Sequence, residues 1–153
     1  MTGLLLFQYN LRYNHIIMNI EDRVNKMSMD LDKIVEKASI WQSLFDECPF
    51  AVAVFNNEMK FFMVNDAFQQ LTGFDDQDII GQRVQAILPD RFKRMHKRYE
   101  KDYAIKPEKK VNRHGIEPYV LTKDKEEILV DIDLSYILYN SKIYYVSFIR
   151  RIV

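Results

Sequence analysis

The chain has 153 residues, of which 48% are hydrophobic and 13% aromatic, enough to bury one sizeable core and too few for a second catalytic domain. Lysine plus arginine and aspartate plus glutamate number 22 each, so no global field draws the chain to nucleic acid or to an acidic membrane. A single cysteine, Cys48, excludes an internal disulfide framework and a multi-cysteine zinc site, and fits a reducing cytoplasm.

Residues 1–17 read as a disordered or adventitious extension. Leu4-Leu5-Leu6-Phe7 is far shorter than the roughly 18 apolar residues of a membrane span, and neither a basic start nor a small-residue cleavage site marks a signal peptide. Met18-Asn19-Ile20-Glu21-Asp22 is the more natural beginning, with Asn19 as a cap and acids in the first turn, so translation is expected from Met18.

Residues 18–45 are expected to form an amphipathic coiled-coil helix. Ile20, Val24, Met27, Leu31, Ile34, Ala38, Trp41 and Phe45 are separated by alternating steps of four and three, the seam of a heptad repeat. A helix over 19–45 would reach roughly 40 Å at 1.5 Å per residue, longer than a small sheet is wide. The stretch from Ile20 to Ala38 is expected to pair with a second copy as a parallel coiled coil, giving a homodimer. The last turns around Trp41 and Phe45 are expected to pack on the sheet of their own domain.

The remaining residues, 46–153, read as one domain. After Pro49 the pattern turns extended: Ala51 to Phe55 and Met59 to Val64 form a hairpin across Asn56-Asn57-Glu58. Asn65 caps a short helix whose Phe68 and Leu71 share a face, and Gly73 and Gly81 suit turns that need φ > 0. Pro89 starts a helix over Asp90 to Tyr103 with Phe92, His96, Tyr99 and Tyr103 on one face. Its other face begins a basic stretch of Arg91, Lys93, Arg94, Lys97, Arg98, Lys101, Lys106, Lys109, Lys110 and Arg113. That stretch reads as a solvated face whose use, if any, is docking an acidic partner, because no nucleic-acid-binding motif accompanies it. Glu127 to Tyr139 alternates as a half-buried strand with Asp131 and Asp133 on its solvent side. Ile143 to Val153 follows after the turn Asn140-Ser141. The chain carries no nucleophile elbow, phosphate-binding glycine loop or zinc-protease helix, so it is not expected to be an enzyme.

Asn65-Asp66-Ala67-Phe68-x-x-Leu71-Thr72-Gly73-Phe74, followed by Ile79-Ile80-Gly81 and Ile87-Leu88-Pro89, resembles the front half of a PAS domain. The resemblance implies an α+β fold, a five-stranded antiparallel sheet with helices on one face, preceded here by the heptad helix. It implies an ion pair between Asp78 and Lys123, and it places Lys125 where similar domains carry a turn glycine. His96-x-x-Tyr99 resembles the connector helix of haem-binding PAS sensors, which implies His96 as an iron ligand with Phe92, Tyr99 and Tyr103 lining the pocket. The chain departs from that pattern at Ile116, where an arginine would face the haem ligand, with Arg113 and His114 slightly upstream. It departs again at Asp102, where an arginine would hold a propionate. Flavin photochemistry is not expected, since residues 73–87 lack the reactive cysteine. The implied function is a stand-alone cytoplasmic sensor or regulatory module for signal transduction or transcriptional regulation. It would dimerise and bind a signalling partner, with a small ligand allowed in its pocket. The alternatives are a haem-based gas sensor using His96 and a ligand-free dimerisation domain whose aromatic side chains fill the pocket.

Overall fold

The structure is a computed structural model that describes the backbone of residues 2–108, 110–111 and 117–152, and the side chains of residues 14–108 and 117–152. The helix α1 (Thr2–Asp46) spans 45 residues, about 68 Å at the standard rise. The chain divides into two compact units, one ending at Ser43 and one comprising Leu44–Val153.

Helix α1 starts well before Asn19, and the residues assigned to an extension are helical from Thr2 onward. Nothing in residues 2–17 breaks a helix except Gly3 near the end, so propagation costs little once later turns have nucleated it. Along this helix Ile20, Val24, Met27, Leu31, Ile34 and Ala38 are all exposed. Phe45, which belongs to the second unit, is half-buried.

The second unit contains β1 (Ala51–Phe55), β2 (Phe61–Val64), α2 (Asp66–Thr72), α3 (Asp76–Ile79), a 3-10 turn (Val84–Ile87) and α4 (Asp90–Ile105). It ends with β3 (Lys110–Val111), β4 (Tyr119–Leu121), β5 (Glu127–Tyr139) and β6 (Lys142–Arg151). The sheet is antiparallel and runs β2-β1-β6-β5, with β3 and β4 both pairing along β5. Because β4 meets β5 at Glu127–Leu129 and β3 meets it at Asp133–Leu134, the two short strands share one edge. The expected five-stranded sheet is thus present as five positions, the last of them split.

Alternation decides which side is buried. Ala51, Ala53, Phe55, Phe61, Val64, Val130, Tyr145 and Ile149 face inward and pack with Phe68 of α2, Ile79 of α3, Val84 and Ile87 of the 3-10 turn, and Tyr103 of α4. All the helices of this unit therefore serve one face of the sheet. On the other face Arg150 bridges Asp131 at 2.5 Å and Asp133 at 3.1 Å, in keeping with the solvent side expected for those acids.

Two hairpins close through backbone that side chains adopt reluctantly. Tyr139 pairs with Lys142 across Asn140 (φ 47) and Ser141 (φ 59), the left-handed pair of a two-residue turn. Between β4 and β5, Lys125 has φ 68, so the turn keeps the glycine conformation without the glycine. The loop is held by Thr122: its carbonyl accepts from the Lys125 amide at 3.0 Å and its hydroxyl accepts from the Glu126 amide at 3.0 Å. Lys125→Gly is expected to stabilise the domain by about 0.5–1 kcal/mol, the relief of a left-handed side chain less the added chain entropy. A lower melting temperature in the variant would show that the lysine is not strained there.

Candidate functional site

Asn65 stands at the centre of the domain's entry. It is fully buried, and its extended backbone (φ -96, ψ 173) lets the side chain cap α2. The Oδ1 atom accepts from the amides of Phe68 at 3.0 Å and Val52 at 2.8 Å. Its Nδ2 donates to the carbonyls of Phe45 at 3.0 Å and Phe50 at 2.9 Å, and more loosely to that of Cys48 at 3.4 Å. One amide therefore fastens the end of α1, the start of β1 and the start of α2 together. At the other end of α2, Gly73 adopts φ 75 and donates its N–H to the Gln69 carbonyl at 2.8 Å, closing the helix.

Phe68 is fully buried beneath this cap, with its ring 5.6 Å from that of Phe61, which in turn lies 4.6 Å from Phe55. Leu71 is half-buried against the same core. Gly81 (φ 82) turns the chain so that its N–H reaches the Phe61 carbonyl at 2.9 Å, while the Phe61 N–H reaches the Gln82 carbonyl at 2.9 Å. This loop covers the free edge of β2.

Asp78 and Lys123 are brought together as an ion pair. The hydrogen bond from Lys123 holds the Asp78 carboxyl below the usual carboxylate range, and Asp78 in turn raises the Lys123 ammonium. The backbone supports the pairing: the Lys123 N–H donates to the Thr72 carbonyl at 2.9 Å, beside Gly73.

Helix α4 separates its four singled-out residues. Tyr103 is buried, its hydroxyl donating to the Glu108 carbonyl at 2.7 Å and its ring 5.2 Å from Tyr145. Burial pushes the Tyr103 and Tyr145 hydroxyls up from their ordinary range. Phe92 is half-buried and stacks on Tyr119 at 6.3 Å, and Arg91 lies 4.5 Å above the Phe92 ring while its two terminal guanidinium nitrogens donate to the Glu127 carboxylate. Tyr99 is 45% exposed and does not line the interior. His96 is half-buried, with Nδ1 3.1 Å from Glu100 Oε1.

Glu100 is the residue that sequence reasoning missed. Its side chain is only 11% exposed, and it receives Arg83 at 3.2 Å and Gln85 at 2.5 Å besides facing His96, tying α4 to the 3-10 turn. Its position four residues after His96 puts it on the same side of the helix, a signal available in the chain. The partnership with Arg83 and Gln85 depends on how the turn folds back.

The residues around His96 do not fit a haem. Two of the side chains that would line its pocket are engaged with other rings, Tyr103 with Tyr145 and Phe92 with Tyr119. Asp102 is an exposed carboxylate where a propionate would need a cation. Ile116, Arg113 and His114 lie outside the described residues. Among the described residues no group of His, Cys, Asp and Glu is arranged to hold a metal ion. Nor is any helix in them long and apolar enough to cross a membrane.

Residues 39–102 match the family model described as PAS domain. The fold is similar to the PAS domain of an HTR-like protein from Haloarcula marismortui, with a TM-score of 0.68 at 16% identity over 82% of this chain and 99% of that one. It is also similar to a PAS domain from a two-component sensor histidine kinase (TM-score 0.63, 16% identity, 76% of this chain and 96% of that one). A third likeness is to the PAS domain of a Colwellia psychrerythraea protein (TM-score 0.64, 16% identity, 78% of this chain and 97% of that one). No curated protein matches the chain. Residues 39–102 thus match the PAS domain model, and the second unit has the fold of PAS domains.

Proposed function

We propose that the chain is a PAS regulatory module that works as a homodimer through α1 and passes its signal to a partner protein, in cytoplasmic signal transduction or transcriptional regulation. The observation that carries this reading is the seam Ile20, Val24, Met27, Leu31, Ile34 and Ala38, apolar at heptad spacing and exposed in the single chain. An apolar stripe on a long helix is stabilised when a second helix buries it, and alternating steps of four and three suit a two-stranded coil. Helix α1 runs to Asp46, and Phe45 and Phe50 are hydrogen-bonded by Asn65, so a change in the coil has a covalent and hydrogen-bonded path into the sheet.

The interior favours a domain filled by its own side chains. Phe55, Phe61, Phe68, Tyr103 and Tyr145 are all buried in one cluster, which supports signalling by protein contacts without a resident small molecule. Phe62 and Tyr99 are exposed and Phe92 is half-buried, so they stand outside this cluster.

Leu31→Asp tests the dimer. A charge at the middle of the seam should convert the protein to monomer in light scattering at micromolar concentration while the far-ultraviolet circular dichroism of the PAS unit persists. A variant that remains dimeric would remove the coiled coil from the proposal.

A further inference from the structure

Arg94, Lys97, Arg98 and Lys101 recur along α4 at spacings of three, four and seven, which places them on one face over about 10 Å of helix. All four are exposed, and none makes an ion pair among the described residues. The neighbouring acids are engaged elsewhere: Glu100 with Arg83, Gln85 and His96, Asp90 with Lys93, and Glu127 with Arg91. Asp102 stands on the flank of the stripe. A chain with equal numbers of acids and bases has therefore gathered an uncompensated positive stripe on one helix. Like charges at these spacings cost a helix a few tenths of a kcal/mol per pair.

The same surface is not purely charged. Ile105 is 84% exposed at the end of the stripe, and Met95 and Tyr99 are 38% and 45% exposed along its edge. A nucleic-acid strand would use stacking rings between the cations, and only Tyr99 stands beside them. Cations at three- and four-residue spacing beside an exposed aliphatic side chain complement a helix with carboxylates at that spacing and an apolar residue next to them.

We propose that this face of α4 is a docking surface for an acidic amphipathic helix of a partner protein, with Arg94, Lys97, Arg98 and Lys101 pairing its carboxylates and Ile105 supplying the apolar contact. The proposal rests on the partner-binding half of the function proposed above and is independent of the dimer.

The test is fluorescence anisotropy of the full chain with three labelled probes. One is a 20-residue helical peptide with glutamates at three- and four-residue spacing and leucines beside them, one is the same composition scrambled, and one is a uridine 20-mer. The helical peptide should bind, and raising the salt to about 1 M should abolish the binding by screening. Scrambling should weaken it about fivefold, and R94Q/K97Q/R98Q/K101Q, which removes charge without adding repulsion, about tenfold or more. Ile105→Ser should weaken it about threefold. Equal binding of the scrambled peptide, tighter binding of the uridine oligomer, or undiminished binding by either variant would each overturn the proposal. Light scattering on the quadruple variant should give the oligomeric state of the unaltered chain, so a failure of docking is distinguished from a failure of the dimer.

Discussion

Asn65→Ala is expected to destabilise the PAS unit by about 3–5 kcal/mol, a large fraction of what a domain of this size has to lose. The side chain is fully buried, and truncation strands the amide of Val52 and the carbonyls of Phe45 and Phe50 at once, while the Phe68 amide keeps only the Asn65 carbonyl. Each buried group left without a partner costs about 1–3 kcal/mol, with water entering the gap recovering part of the sum. In urea the midpoint should fall by about 2 M with an unchanged slope. Asn65→Asp separates the two halves of the role. It keeps both acceptor contacts to the amides of Val52 and Phe68 but sets a buried carboxylate oxygen against the carbonyls of Phe45 and Phe50, so its loss at neutral pH should be at least as large and should shrink at low pH, where the protonated acid can donate to one of them. A fall of less than about 0.5 M for the alanine variant would mean that the network is not what fastens α1, β1 and α2 together.

Phe68→Ala should cost a comparable amount, about 3–5 kcal/mol. The ring is fully buried and stands next in a line of rings running through Phe61 to Phe55, so its removal opens a cavity that the sheet cannot collapse to fill. Phe68→Leu keeps most of the volume and should lose less than about 1.5 kcal/mol. Because the Phe68 amide is itself bonded to Asn65, the double variant should be less destabilised than the sum of the two single ones. If Phe68→Ala costs less than about 1 kcal/mol, the interior is not closed by aromatic packing, and a small molecule becomes the better occupant of that space.

These two residues also mark where reading the chain succeeds. Asn65 is recognisable as a cap, and Phe68 and Leu71 as one face of a helix, because those roles depend on atoms within four residues along the chain. For the same reason β1 has the bounds of its apolar run, β5 those its alternation predicts, and Pro89 immediately precedes α4. Phe45, Cys48 and Phe50 as partners of the Asn65 amide were not legible, since nothing local specifies which distant carbonyls a buried donor will meet.

Heptad spacing by itself marked an apolar-seamed helix, and local patterns marked the short capped helix and the strands after it, because these are written in local periodicity and backbone preference; the α+β fold was implied by the resemblance of the Asn65 to Pro89 motif. Only the tertiary structure decided that β3 and β4 share one edge of the sheet, and that Glu100 turns inward to Arg83 and Gln85. It alone decided that Lys125 holds a left-handed turn and that, among the described residues, Arg91 and Lys93 of α4 pair with acids while Arg94, Lys97, Arg98 and Lys101 do not. Those outcomes follow from which surfaces meet once the core closes, and pairing between groups far apart in the chain is set by packing and desolvation across that core.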